Sequence, residues 1–244
     1  MAKRMQSAII YRGPSMLDGA PIMVVAIVSN RNRKTGAMVQ TYIMRDDINP
    51  LDANKSGADF SICGNCPLRG IATNDPKAKQ AKERKCYVLL GQGPLIVWKA
   101  FQRGYYSEIT GHAAIAAFGA GFMVRIGTYG DGSAVPSYIW ESLISLAVGH
   151  TGYSHQSGMA QSGFNPALYM VSVETESQAR AAWDKGYRTF RIGNAPIAGK
   201  EIICPSARGI KCADCGLCAG NAKQAKSIVI PAHGVGASHF EIAA

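Results

Sequence analysis

Long apolar stretches are missing from this chain of 244 residues. The longest apolar run, Pro21 to Val28, is far too short to cross a bilayer, so we expect no membrane-spanning helix. The first residues, Met1 to Gln6, lack the apolar core of a signal peptide, and we therefore expect a cytoplasmic protein. A glycine-rich dinucleotide fingerprint is also missing, which weighs against a Rossmann sheet.

Charged residues are scarce, at 17% of the chain, and their signs are unbalanced. The net charge of +10 and the pI near 9.3 allow a polyanionic partner such as nucleic acid. The densest basic clusters are Arg31 to Lys34, at a predicted turn, and Lys77 to Lys85. Such clusters are more often solvated surfaces than nucleic-acid contacts. Part of the positive charge would also offset thiolates around a metal cluster.

Seven cysteines are the most informative residues of the chain. A disulfide framework is not expected, because the cytosol keeps thiols reduced. Clustered cysteines in that compartment indicate metal or redox chemistry. We divide them into an N-terminal set and a C-terminal set: Cys63, Cys66 and Cys86, and then Cys204, Cys212, Cys215 and Cys218.

The C-terminal set has the spacing of an iron–sulfur ligand set. Two CxxC spacings share Cys215, and Cys204 is followed by Pro205. These are the ingredients of a bacterial ferredoxin motif, although the cysteine that precedes proline lies upstream here. The spacing predicts a 4Fe–4S cluster. A structural zinc ion bound by four thiolates is the alternative, and buried free thiols are the remaining interpretation.

The N-terminal set has only three cysteines, which cannot close a four-cysteine site. Another side chain or a water molecule completes the site, or one iron stays open to an exogenous ligand, as a catalytic cluster requires. We predict a second 4Fe–4S cluster here. The alternatives are zinc completed by one of the five histidines, a thioredoxin-like redox pair and free thiols.

Strand and helix patterns alternate along the chain. The runs Pro21–Ser29 and 37–45, joined by a basic tip, predict a β-hairpin. The later alternation predicts a parallel sheet. The predicted fold class is α/β, a full or partial (βα) TIM-like barrel preceded by the hairpin and followed by a cysteine-rich metal-binding segment. An open doubly wound sheet is the alternative. We expect a single domain with three parts: 1–60, hairpin and lead-in; 61–203, barrel core; 204–244, cysteine-rich segment and last strand.

The same patterns predict individual elements. Thr175 is the expected N-cap of a helix. Predicted strands lie at 122–127, 151–155, 167–173, 187–192 and 228–232, and predicted helices at 94–103, 136–146 and 176–185.

Polar side chains follow several predicted strands, where the chemistry of an α/β barrel gathers. We expect them to share a pocket, although Thr175 also serves as a helix cap and Asp131 as a turn residue. Strand arginines at 125, 188 and 191 require partners, either Asp131 and Glu174 or an anionic ligand. The candidate catalytic residues are Asp131, His155, Glu174, Arg191 and His233, and the other polar residues of these strand ends are Tyr129, Tyr153, Gln156, Ser172, Thr175 and Asn194.

Several runs of the sequence resemble a family of uncharacterised tailed-phage proteins, and the similarity covers most of the chain after the first cysteine. The resemblance implies a phage protein that acts in the host cytoplasm, and it supplies no activity. The runs are Ser61 to Arg69, Arg125 to Asp131, Thr151 to Gln156, Tyr187 to Arg191 and Ser227 to Gly234.

More distantly, the layout resembles radical S-adenosylmethionine (SAM) enzymes, which have a partial barrel and an early three-cysteine cluster. This resemblance implies SAM as a cofactor, held near Gly130-Asp131-Gly132. Their usual C-x3-C-x2-C motif differs from the wider spacing here. An enzyme is therefore one hypothesis. The others are a non-catalytic, metal-stapled protein that contacts nucleic acid or a host protein, and a simple electron carrier.

Overall fold

The computed structural model describes residues 5–29 and 32–232. Strands and helices alternate along these ranges. The strands are β1 (Ser7–Pro14), β2 (Pro21–Ser29), β3 (Met38–Arg45), β4 (Met123–Tyr129), β5 (Gly149–Thr151), β6 (Tyr153–Ser154), β7 (Met170–Val173), β8 (Thr189–Ile192), β9 (Glu201–Ile203) and β10 (Ser227–Ile230). The α-helices are α1 (Pro50–Ser56), α2 (Phe60–Cys63), α3 (Gly93–Gln102), α4 (His112–Gly119), α5 (Ser137–Ile144), α6 (Glu176–Asp184) and α7 (Cys212–Cys215).

The strands pair into two five-stranded sheets, in the orders β1-β2-β3-β4-β5 and β6-β7-β8-β10-β9. The first three strands are antiparallel neighbours, as a hairpin and a preceding strand must be. All the other pairs are parallel. The predicted α/β class is therefore confirmed. Among the described residues, the strands pair within these two sheets and form no closed ring, so a full barrel is not observed.

A single glycine separates the two sheets. β5 pairs with β4, whereas β6, which begins after Gly152, pairs with β7. The backbone N–H of Gly152 donates to the carbonyl of Cys218, 2.9 Å away. A side chain at Gly152 would collide with the Leu168 carbonyl and the Tyr169 ring, so the position requires glycine. The break in the sheet thus ties the C-terminal cysteine segment to the strands.

The predicted hairpin is confirmed, and its turn has a structural role. β2 and β3 pair in continuous register. Its turn docks on α7, where the N–H of Ala213 donates to the carbonyl of Thr35 at 2.8 Å. Gly36 has a φ of +77° and lies against Ala213 and Lys211, so a larger residue would push α7 away.

Helix α6 shows how local sequence sets an element. Thr175 caps its N-terminus, and Thr175 and Gln178 form a reciprocal capping box, as expected from the sequence. The helix packs Ala179 and Ala182 on Val171 and Val173 of β7. No helix in the described ranges is long and apolar enough to span a membrane.

Both cysteine sets lie in connections between parallel strands. The N-terminal set belongs to the long connection from β3 to β4, which also carries α1 to α4. The C-terminal set belongs to the segment between β9 and β10. Parallel neighbours require such crossovers, and here the crossovers bring the cysteines to one region of the fold.

Arg188 fastens the C-terminal cysteine segment to the second sheet. Its guanidinium donates to the carbonyl of Gly220 at 2.7 Å, of Leu217 at 2.9 Å and of Lys226 at 2.8 Å. These hydrogen bonds involve a charged donor and are stronger than neutral ones. The planar fork of arginine reaches all three carbonyls at once, which the single ammonium of lysine cannot do.

We predict that Arg188→Lys lowers the free energy of unfolding by roughly 1–3 kcal/mol, because the partly buried hydrogen bonds to Gly220 and Leu217 lose their donors. Arg208→Lys is the matched control, since Arg208 is exposed in the same segment. Urea unfolding followed by circular dichroism measures both variants. Equal midpoints for the two variants would show that the Arg188 contacts do not hold this segment.

Candidate metal and ligand site

All seven cysteines line one cavity of about 310 Å³. A single buried water needs only about 10–15 Å³ in the same measure, so this space is large enough for a bulky group. The cavity lies against the parallel strands and the loops that follow them. Two cysteine sets that are far apart in sequence therefore face the same interior space.

The Cys63–Cys66 loop is shaped by Gln156. Helix α2 ends at Cys63, and Gly64 follows with a φ of +52°. The Gln156 amide donates to the carbonyl of Cys63 at 2.9 Å and accepts from the N–H of Asn65 at 3.1 Å. Any side chain at Gly64 would overlap this amide. Glycine is therefore required for Gln156 to reach the loop.

Cys86 joins the other two cysteines through a short backbone pairing. The N–H groups of Lys85 and Cys86 both donate to the carbonyl of Leu68. An isolated antiparallel bridge joins Ile71 to Lys82. Through these contacts the chain returns to the region of Cys66. Cys86 can therefore complete the N-terminal set, although it lies twenty residues after Cys66 in the sequence.

The thiols of the N-terminal set lie close enough to interact electrostatically. Burial raises the pKa of Cys63 well above its ordinary value, and the charges of Asp59, Cys66 and Cys86 raise it further. Burial also raises the pKa of Cys86, and Arg84 opposes that rise. The metal-free site therefore favours neutral thiols, and a bound cation would be needed to hold three thiolates together.

His155 lies between this set and a carboxylate. Its Nε2 is 2.8 Å from Oε1 of Glu174. Burial lowers the pKa of His155, but the charge of Cys66, a hydrogen bond to its sulfur and the Glu174 carboxylate together raise it well above the ordinary value. His155 therefore lies between the Cys66 sulfur and the Glu174 carboxylate.

The carboxylate of Asp131 organises the loops around the N-terminal set. It accepts hydrogen bonds from the N–H of Ser133 and His155 at 3.0 and 2.9 Å, and from the side chains of Ser154 and Gln156 at 3.1 and 3.2 Å. Asp131 is only 7% exposed. Neighbouring residues of this chain thus donate all of these hydrogen bonds to the carboxylate. Asp131 therefore positions His155 and Gln156.

The C-terminal set follows β9 and surrounds α7. Cys218 is 8% exposed and packs with Met170 and Ile228. Burial raises the pKa of Cys218 to about 12; a hydrogen bond with Tyr153 opposes the rise, and the other three cysteines of the set add to it. Burial likewise raises the pKa of Cys212. These mutual effects show that the four thiols form one electrostatic group.

Two cations lie beside this group. Arg125 and Lys34 both lower the pKa of Cys212. Burial and the charge of Arg125 lower the pKa of Lys34, while Cys204 and Cys212 oppose that decrease. Lys34 lies at the edge of the cavity and stays partly exposed. The basic hairpin tip is therefore not merely a solvated turn, because one of its cations faces the cysteines.

The structure gathers most of the predicted strand-end residues around the cavity. Some of the predicted residues do not line the cavity. Gln156 binds the Cys63 loop and Thr175 caps α6, whereas Asn194 lies outside the wall. Arg191 is a candidate that lies elsewhere, since it forms a buried ion pair with Glu201 at 2.7 Å. His233 lies outside the described residues. The predicted residues in the wall are Tyr129, Asp131, Tyr153, His155, Ser172 and Glu174.

Several wall residues were not predicted. Thr151 was interpreted only as part of a strand, and Tyr87 directly follows Cys86 without a motif of its own. The sequence favours a solvated turn for the cluster that contains Lys34, with nucleic-acid contact as the alternative. Two sequence features could have indicated a role in the wall: Tyr87 is next to a cysteine, and Thr151 is at the end of a strand. Neither feature shows in which direction the side chain points.

The cysteines are all free within the described ranges. In that part of the chain, no group of three or more His, Cys, Asp or Glu side chains is compact enough to hold one metal ion. The two sets thus surround the cavity in an open arrangement.

Comparisons with protein-family models, curated proteins and solved structures found no match. Its function is therefore inferred from the residues that line the cavity.

We predict that Cys218 of the folded, reduced, metal-free protein reacts with iodoacetamide at least roughly ten-fold more slowly than Cys215 at neutral pH. The thiolate is the nucleophile, and burial keeps Cys218 protonated, whereas Cys215 is partly exposed. Raising the pH should accelerate Cys218 by increasing its thiolate fraction. Mass spectrometry of timed samples measures both rates, and denatured protein is the control. Equal rates in the folded protein would contradict the described packing.

Proposed function

We propose that this chain is an iron–sulfur protein that holds two 4Fe–4S clusters, one on each cysteine set, facing a shared cavity. The observation that carries the proposal is the placement of all seven cysteines in the wall of one cavity. Within that wall, Cys63 interacts with the other members of its set, and Cys218 with the members of the other set. The two groups thus support two centres.

The open arrangement of the thiols favours clusters over zinc. A zinc ion draws its four ligands to about 2.3 Å from one point, which requires a compact group. Each thiolate of a 4Fe–4S cluster binds a different iron, so the sulfur atoms lie further apart around a larger body. The described cysteines surround a space instead of a point.

The charge around the cavity is suited to anionic clusters. A cluster with thiolate ligands carries net negative charge, and buried negative charge needs compensation. Lys34 supplies it beside Cys212. His155 supplies it beside Cys66, and Glu174 fixes the orientation of its ring.

The two sets would have different roles. When bound, such clusters supply one-electron transfer. The C-terminal set has four cysteines and closes its site, which suits electron transfer. The N-terminal set has three, and we propose that its fourth position faces the cavity and receives a ligand. In this proposal the two sheets form the wall of a partial barrel around an enzymatic site, whose candidate residues are His155 and Glu174, with Asp131 as a positioning residue.

SAM is a candidate ligand of this cavity by resemblance. Gly130 lies in the wall, as the resemblance to radical SAM enzymes would require. The Asp131 carboxylate, however, already accepts four hydrogen bonds from its surroundings. We therefore propose that any contact with SAM at this loop uses backbone groups and that Asp131 holds the loop in place.

A second candidate function is a non-catalytic protein whose metal centres staple loops for binding. The favouring observation is the exposure of Lys77, Lys79 and Lys82 on the loop that precedes Cys86. Phosphate contacts by these lysines would give binding to DNA or RNA that weakens steeply with salt. The resemblance to phage proteins would place either function in an infected host cell.

Anaerobically purified protein is predicted to be brown, with broad visible absorption from thiolate-to-iron charge transfer and acid-labile sulfide. Two clusters correspond to about eight irons and eight sulfides per chain. Elemental analysis and sulfide release measure these amounts, and protein reconstituted with zinc alone is the control. Colourless protein with stoichiometric zinc, purified under the same conditions, would refute the iron–sulfur proposal.

A further inference from the structure

Three buried polar atoms in the cavity wall have no hydrogen-bond partner among the described residues. They are Nε of Arg125, the hydroxyl of Thr151 and the hydroxyl of Tyr129. Thr151 is 2% exposed and Tyr129 is 4% exposed. Buried polar groups in folded proteins almost always have a partner, so three in one cavity indicate a polar ligand.

Two of these atoms are neighbours in the sheet. Arg125 and Thr151 are directly paired in the register of β4 and β5, and both side chains reach the cavity. A second nitrogen of Arg125, Nη2, donates to the hydroxyl of Tyr87 at 2.8 Å. This hydrogen bond fixes the orientation of the guanidinium. The Nε–H group of Arg125 remains able to donate a hydrogen bond to another group.

The other two strand arginines have acceptors in the protein, although Nε of Arg188 is also unpaired among the described residues. Arg188 binds three carbonyls, and Arg191 forms a bidentate pair with Glu201. Arg125 has no carboxylate partner among the described residues. Because a buried arginine stays charged, it requires a negative partner.

We propose that Arg125 and Thr151 form a subsite for an oxyanion, a carboxylate or phosphate group carried by a small-molecule ligand. An arginine fork and a hydroxyl are donors that match the several acceptor oxygens of such a group. A thiolate of the C-terminal set offers one soft acceptor and leaves the Thr151 hydroxyl unpaired. An oxyanion satisfies both orphaned atoms together.

The wall beyond the subsite leads toward the N-terminal set. Gly127 has no side chain to block this part of the wall. Tyr129 lies four residues beyond Arg125 on β4, and its neighbours include Cys63 and Cys86. Four residues of strand span on the order of 13 Å. A ligand anchored at Arg125 by its anionic group therefore extends along β4 to the proposed open cluster. In this respect the inference rests on the proposed function, whereas oxyanion binding itself does not.

The test is a titration of full-length protein, purified anaerobically and labelled with ¹⁵N-arginine, observed by nuclear magnetic resonance. The Nε–H resonance of Arg125 is identified by its loss in Arg125→Lys. Inorganic phosphate and acetate are added separately, and chloride at matched ionic strength is the control. We expect a saturable shift with phosphate or with acetate, and the anion that binds more tightly identifies the oxyanion class. Thr151→Val should weaken this binding at least three-fold, and Arg103→Lys, at an exposed position, should leave it unchanged.

The proposal is overturned if neither anion moves this resonance, or if chloride moves it equally. It is also overturned if the Arg125→Lys variant loses its iron, because Arg125 would then serve as a counterion for the cluster. A saturable shift in protein that contains no iron–sulfur cluster would support the subsite and refute the proposed function, so the two failures are distinguishable.

Discussion

The carboxylate of Asp131 is the contact on which the geometry of the N-terminal site depends. It is buried, and it accepts four hydrogen bonds from the end of β6 and from the loops that follow β4 and β6. Through His155 it places an imidazole beside Cys66, and through Gln156 it fixes the backbone at Cys63. Replacing it would leave several donors without an acceptor in the interior, which is costly. A residue that resembles a catalytic acid in the sequence is therefore a positioning residue in the structure.

The C-terminal site depends on a different constraint, the approach of backbone segments. The hairpin turn docks on α7 through Gly36, and the sheet break at Gly152 binds the Cys218 carbonyl. Arg188 joins the same segment to β8. Together these contacts hold four thiols in a short connection, close to Lys34 and Arg125. Cations beside thiols favour thiolates, which are the species that bind metal.

Periodicity and capping in the sequence predicted much of the fold. The hairpin, the Thr175 cap and the helix at α3 were expected and are present. β1, β9 and the helices α1, α2, α4 and α7 were missed, and β9, α2 and α7 are only three or four residues long. The predicted strand at 151–155 is divided in two, because Gly152 bonds to Cys218 instead of continuing the ladder. That contact is between residues distant in sequence, and local patterns do not contain it.

The candidate site was predictable in its chemistry and less so in its arrangement. Cysteine spacing divided the seven residues into two sets, and the electrostatic neighbours of Cys63 and Cys218 follow that division. The sharing of one cavity was not predicted, because it depends on how two crossovers fold back on the sheets. The need of Arg125 for a partner was expected from the sequence. That Arg125 pairs with neither Asp131 nor Glu174 was not predicted, because this depends on the three-dimensional fold.

The central claim is that two distinct iron–sulfur clusters face one cavity. Electron paramagnetic resonance of the reduced protein tests it most directly, with Cys86→Ala and Cys215→Ala measured beside the unmodified chain. We predict a spectrum broadened by interaction between two nearby reduced clusters in the unmodified protein. Each variant should show the simpler signal of one remaining cluster, and the two signals should differ. Loss of the same signal in both variants would contradict the account, because the seven cysteines would then form one shared centre.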